Sequence, residues 1–233
     1  MPHHRKKLAV LLAFLFATTI AAFPVQAIEL LLQNGNWETL EVPGKRASVF
    51  RFLGPQRLEV EADRSVAFLV REIRPTIQTA TAKASWRWRV DRDFRPKDLF
   101  RTGEDDRPIA IHLWFDVPGA ETDFFPFLAT LFGYPRISHV LTYVWGGLRQ
   151  PETLKTNPYH PNGKILILRH HGTALRTWHT EMRNLRADIK RAFGKAVGIA
   201  DLRYIAISAD TDDTAQHSRA QVSGLKLDNV AHE

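Results

Sequence analysis

Ser85-Trp86-Arg87-Trp88-Arg89-Val90 alternates at every position. Successive side chains of an extended strand point to opposite faces. Trp86, Trp88 and Val90 therefore share one face, and Ser85, Arg87 and Arg89 share the other. Aromatic residues on strands mostly belong to cores, which predicts that Trp86 and Trp88 are buried. Arg87 and Arg89 then either pair with acids on a neighbouring strand or line a polar groove.

Outward from this segment the same period recurs. Ser48–Leu53, Arg57–Ala62 and Val66–Ile73 are short β-prone runs separated by Gly-Pro or Asp-Arg turns. Ile109–Phe115 alternates, with Ile109, Ile111, Leu113 and Phe115 on one face and Ala110, His112, Trp114 and Asp116 on the other. Val140–Trp145, Lys164–Arg169, Arg203–Ala209 and Gln221–Leu227 complete about nine strands, the pattern of an antiparallel, jelly-roll-like β-sandwich. One helix is expected where Leu185, Ile189, Ala192 and Phe193 form a stripe, capped by Asn184 and ended by Gly194. A second, short one is expected at Phe124–Phe132; apolar nearly all round, it is buried, packs on a partner or touches a membrane, and burial is the favoured reading.

The N-terminus carries a different message. Arg5, Lys6 and Lys7 precede an uncharged run, Leu8–Phe23, and Val25 and Ala27 are small residues placed for a peptidase. That is a secretory leader, residues 1–27, with cleavage after Ala27. Its apolar run is shorter than the ~20 residues that span a bilayer, so no transmembrane segment is expected after processing. Residues 28–233 are read as one domain in the periplasm or outside the cell. Losing three cations from 32 against 25 acids lowers the net charge from +7 to +4, which removes the case for nucleic acid as a partner. With no cysteine, thiol catalysis, thiolate zinc and iron–sulfur chemistry are excluded.

Several segments in order are distinctive: the Trp strand, Gly103-Glu104-Asp105-Asp106, Leu141-Thr142-Tyr143-Val144-Trp145 and Asn157-Pro158-Tyr159. Trp178 with Glu181, Arg183-Asn184, Phe193-Gly194 and Asp210-Thr211-Asp212-Asp213-Thr214 follow. Over roughly Trp37 to Leu227 the chain resembles the secreted bacterial family catalogued as domain of unknown function 3047. The apolar stretch Glu121–Arg136 is a longer connection than that family usually has. The resemblance implies a fold and a compartment; the family carries no assigned reaction. The closing Gly224-Leu225-Lys226-Leu227-Asp228 is similar to the last strand of galactose-binding-like jelly rolls, an analogy of fold only.

No nucleophile elbow, phosphate loop or dinucleotide fingerprint is present. His170 and His171 are adjacent and point to opposite faces of a strand, so they make a poor metal pair. Trp114, on the more polar face of its strand beside His112, is the candidate for stacking on a ligand; the alternative is that a helix or loop covers that face. His112, Arg87 and Arg89 are the other ligand-binding candidates. The acids carry most of the remaining information. Asp91 and Asp93 follow the Trp strand, Glu104, Asp105 and Asp106 precede the next, and Asp210, Asp212 and Asp213 follow Arg203–Ala209. Carboxylates within ~4 Å repel by ~1–4 kcal/mol per pair, so something must offset them. Calcium held by Asp105, Asp106, Asp210, Asp212 and Asp213 would do so. Arginines such as Arg101, Arg107 and Arg183, or loop N–H groups, would serve equally. The pattern is no EF-hand, since Ala215 and Gln221 stand where that loop needs Gly and Glu.

Two functional classes follow, with the catalytic residues left open. The first is a ligand-binding module for a glycan or another envelope component. The second is an envelope polysaccharide hydrolase using two of these acids, about 5–9 Å apart. A third reading is a scaffold that makes its contact through Phe124–Phe132.

Overall fold

The computed structural model describes residues 27–73, 81–120 and 136–229. Two expectations fall outside them: the leader, apart from Ala27, and the Phe124–Phe132 segment. Thirteen strands appear among the described residues: β1 (Ala27–Glu29), β2 (Glu38–Glu41), β3 (Val49–Phe52), β4 (Arg57–Asp63), β5 (Val66–Glu72), β6 (Thr81–Arg92), β7 (Arg107–Phe115), β8 (His139–Trp145), β9 (Leu154–Asn157), β10 (His160–Arg169), β11 (His179–Asn184), β12 (Leu202–Asp210) and β13 (His217–Asn229). Helix α1 (Leu185–Phe193) follows β11, and a single 3-10 turn precedes β12.

The strands form two sheets. The first has the order β11-β6-β13-β4-β3, with β1 set against the far half of β13. The second runs β2-β5-β12-β7-β8-β10-β9. The sandwich is antiparallel as expected, with one exception: β10 lies parallel to β8. After β8 the chain crosses to the sheet edge as β9 and turns back as β10 between them.

The inner faces meet as the alternation requires. Trp86, Trp88 and Val90 are at most 1% exposed and share a core with Ile109, Ile111, Leu113 and Phe115. Trp86 meets Tyr143 with ring centroids 5.5 Å apart, and Trp88 meets Trp145 at 5.9 Å. Burial of one such side chain is worth about 1.5–3 kcal/mol. One carboxylate enters this core with its partners: Glu181 accepts from Trp88 Nε1 at 2.9 Å and from Arg169 Nε at 2.7 Å, tying β11 of the first sheet to β10 of the second. Helix α1 closes one end. Asn184 Oδ1 accepts from the Ala187 amide at 3.1 Å, Leu185 and Ile189 are buried, and Gly194 ends the helix at φ 65°. Asp188 is pinned from both sides, by Tyr143 Oη at 2.9 Å and by Arg183 at 2.8 Å.

The sheets differ in their outer faces. Along β4, inward residues are buried and outward ones are partly or fully exposed, whereas every residue of β7 is buried. Trp114 joins Val66, Phe68, Val70, Ile137, Val140 and Ala206 in a second apolar cluster on the outer side of the second sheet. Among the described residues no helix is long and apolar enough to cross a membrane.

Candidate functional site

Strands β7 and β12 are antiparallel neighbours, so the loop entering β7 and the loop leaving β12 occupy one rim of the sandwich. Asp210, the last residue of β12, lies opposite Arg107, the first of β7. The two acidic segments read from the sequence therefore meet there. Their counter-charge is Arg107, 5% exposed. Its Nη1 donates to the Asp105 carboxylate at 2.9 Å and the Asp105 carbonyl at 2.7 Å, and its Nη2 lies 3.3 Å from Asp210 Oδ2. Asp106 takes another task. It accepts from the Asp213 amide at 3.2 Å, from the Thr214 amide at 2.9 Å and from the Thr214 hydroxyl, and so fixes the β12–β13 loop. Lys45, from the β2–β3 connection, pairs with Asp212.

A third segment completes the rim. In the β9–β10 turn, Asn157 Oδ1 accepts from the Tyr159 amide at 2.8 Å. Tyr159 Oη donates to Asp213 Oδ2 at 2.6 Å and accepts from the Gly103 amide at 2.6 Å, linking all three loops. Together they enclose a cleft of about 220 Å³. Its lining is two-sided: Val42, Val66 and Phe68 are apolar, while Lys45, Asp105, Arg107, Asn157, Tyr159, Asp210, Asp212 and Asp213 carry polar groups.

Burial sets the protonation of these acids. It pushes Asp105 up to about 6, Arg107 pulling the other way and Asp213 adding to the rise. Burial also holds Asp210 well above the usual carboxylate range, against the pull of Arg107. For Asp212, burial works upward, but bonds from Asp210 and Lys45 outweigh it and keep the group below its ordinary value. Asp210 Oδ1 is buried with no hydrogen-bond partner among the described residues. Burial and the neighbouring charge also move the Tyr159 phenol up to about 12, which keeps it a donor at neutral pH.

Carboxylate oxygens of Asp106, Asp210 and Asp212 lie within 4.8 Å of one another, the spacing of a small oxygen-ligand metal site. Each of the three already has a protein partner: Thr214, Arg107 and Lys45 respectively.

The structure separates the other candidates. Trp114 and His112 are 0% and 3% exposed, so the face read as open to a ligand is an interior one. His112 is held between Thr142 Oγ1 at 3.0 Å and Ser208 Oγ at 2.8 Å. Burial, helped by Arg107, keeps its pKa well below the usual histidine range. This face looks polar in one strand because of His112, while the hydroxyls that satisfy it come from neighbouring strands. Arg87 and Arg89 do face outward, on the first sheet, where both guanidiniums approach Trp178, at 5.3 and 5.2 Å from its ring centroid. Asp91 pairs there with Arg89, and Asp93 with His171, so these acids lie apart from the rim cleft. Glu104 pairs with Arg101, and Arg183 serves α1 rather than the rim. Lys45 and Tyr159 were not read as site residues. Tyr159 stood only among the segments of the resemblance, and the acid that Lys45 meets lies 167 residues away.

Comparison with known proteins places the chain in a family. The model described as "Protein of unknown function (DUF3047)" matches residues 35–226, and the chain belongs to that family. No curated protein matches. Among solved structures, the xyloglucanase domain of NopAA, a type three effector from Sinorhizobium fredii, is 8% identical with a TM-score of 0.49, over 90% of this chain and 100% of that one. The family 11 carbohydrate-binding module from Clostridium thermocellum is 8% identical with a TM-score of 0.45, over 90% and 98%. A family 12 xyloglucanase from Bacillus licheniformis is 5% identical with a TM-score of 0.43, over 89% and 100%.

Proposed function

We propose that this member of the DUF3047 family is an exported binding protein whose rim cleft holds a polyhydroxylated ligand, a glycan or a glycan end. One observation carries the reading: three separate loops converge to set fixed acceptors and donors against an apolar wall in a single cleft. A sugar ring offers the complementary pattern, with C–H groups on its faces and hydroxyls at its edge. Phe68, Val66 and Val42 receive the first, and the carboxyls, Asn157, Tyr159 and Lys45 receive the second. Hydrogen bonds from hydroxyls to ionised carboxylates are among the stronger neutral-to-charged contacts. Four carboxyls against Lys45 and Arg107 disfavour an anionic ligand. In this reading residues 1–27 are the export leader, and the mature chain works in the periplasm or outside the cell. Calorimetric titration with a panel of neutral oligosaccharides tests it. Saturable binding is expected, weakened about tenfold or more by Asp212→Asn, the loss of one charge-assisted contact and its lysine anchor. No binding by any member of the panel would overturn the reading.

A second reading, hydrolysis of that glycan, is favoured by the raised Asp105. An acid of pKa about 6 in the same cleft as an ionised Asp212 is a pair suited to general acid and base roles. New reducing ends after incubation with the bound oligosaccharide, lost in Asp105→Asn, would establish it. An unchanged oligosaccharide leaves the binding reading alone.

A further inference from the structure

We propose a second ligand site on the outer face of the first sheet: a shallow groove that takes an anionic glycan, a chain of sugars bearing carboxylates. It is separate from the rim cleft and rests on different residues.

The face is laid out by register. Gln221 of β13 lies between Arg89 of β6 and Glu59 of β4, so the three form a row across the sheet. A groove of about 430 Å³ runs over this row, with Asp91, Arg176 and Arg219 completing its lining. Trp178, half-buried just before β11, adds an aromatic ring across the guanidiniums of Arg87 and Arg89. An aromatic ring beside a row of hydrogen-bonding side chains suits a sugar chain lying flat on a sheet.

The charges choose between neutral and anionic sugars. Both acids of the groove are already matched. Asp91 is held by Arg89, with Nε 3.0 Å from Oδ1, and accepts from Gln221 at 3.2 Å. Glu59 meets Arg51 at 3.2 Å and Gln221 at 3.3 Å. The cations are in excess. Arg176 and Arg219 have no acidic partner among the described residues. Arg219 lies opposite Glu61, which is held by Arg51 and His217; on its other side the register of β6 shifts at a bulge beside Arg92. Arg176 adds an independent sign. It is a non-glycine residue at φ 58°, and its amide donates to the Val90 carbonyl at 2.8 Å. Backbone held in that region costs free energy, and such residues cluster at functional sites. Here the placement brings a guanidinium to the groove, and guanidinium matches carboxylate with two parallel hydrogen bonds.

Affinity measurements on the purified protein with an oligogalacturonate, and with a neutral oligoglucoside of equal length, test the proposal. The oligogalacturonate should bind in a salt-sensitive way. Removing both free arginines, Arg176→Ala with Arg219→Ala, should weaken it about tenfold or more. Trp178→Ala should weaken it too, and Arg219→Lys should restore part of the loss by restoring charge. These residues are exposed or half-buried, so an unchanged melting temperature shows that the fold persists. Asp212→Asn, at the rim cleft, should leave this binding unchanged, which keeps the two sites distinguishable. Equal affinity of wild type and the double arginine variant would overturn the site. Salt-insensitive binding of the neutral chain that the double arginine variant weakens as much as it weakens the oligogalacturonate would overturn its anionic character.

Discussion

The two sheets share one core but treat their outer faces in opposite ways. In β7 all nine residues are buried, and Trp114 packs edge-on against Phe68 at 5.5 Å and Tyr204 at 6.4 Å. In β6 the outward positions carry Arg87 and Arg89, and the aromatic ring that meets them, Trp178, stays half-buried above a polar groove. A tryptophan therefore has two meanings in this molecule. Beside His112, whose polar atoms are satisfied by Thr142 and Ser208 within the sheet, it is core. Beside charged neighbours with room around them, it is surface.

The largest expected effect tests that contrast. Trp114→Ala should cost about 3–5 kcal/mol, the range for removing a large buried aromatic side chain. Trp178→Ala should cost less than about 1 kcal/mol, since surface substitutions away from special features cost little. Urea unfolding of the two variants measures both. Equal losses would mean that the outer faces are not different in kind.

The rim cleft lies between these extremes, buried like one face and charged like the other. There the effect of Arg107→Met should be about 3–5 kcal/mol, because the change strands two buried carboxyls that now share one guanidinium. Methionine keeps much of the volume, so the loss reports charge more than packing. If calcium rather than Arg107 balanced these acids, the variant would keep its stability in excess calcium and lose it with chelator. A loss that calcium leaves unaltered assigns the balance to arginine.

How much of this was legible depended on whether the signal lay within one strand. Alternation in Ser85–Val90 gave both faces of β6 correctly, and Asn184 and Gly194 bounded α1 as caps. The meeting of Asp105 and Asp106 with Asp210 and Asp212 followed from strand direction alone, once β7 and β12 were neighbours. What failed was reading exposure from one strand. His112 makes the outer face of β7 look polar, but its partners, Thr142 and Ser208, lie on β8 and β12. A sheet buried on both faces erases the contrast that alternation needs. Strand β11 was missed for the opposite reason: it is an edge strand in which only Glu181 is buried, so it has no apolar period to read. Lys45 and Arg176 owe their places to loops, where sequence carries no register.

The last of these effects is a slope rather than a loss, and it separates the rim from both faces. Asp105 has an ordinary value of 3.8 and is pushed up to about 6 in the folded protein by burial. The folded state therefore binds this proton more tightly than the unfolded chain. For an acid with a raised pKa, the contribution to stability is fully present below the unfolded value and is lost as pH rises through the folded one. A shift of this size corresponds to about 2–3 kcal/mol between pH ~4 and ~6. Asp210, also raised, acts in the same direction, whereas Asp212, held low, adds stability that is lost as pH falls. The net curve of the wild type mixes these signs, so the informative quantity is the difference between wild type and Asp105→Asn. Asparagine fits the same space and cannot titrate. Unfolding free energies measured from pH 4 to pH 7 should show wild type losing stability relative to the variant as pH rises, with most of the change complete near pH 6. Parallel curves would mean that Asp105 ionises as it does in water. The cleft would then be an open polar turn, and the acid role considered for Asp105 would fall with it.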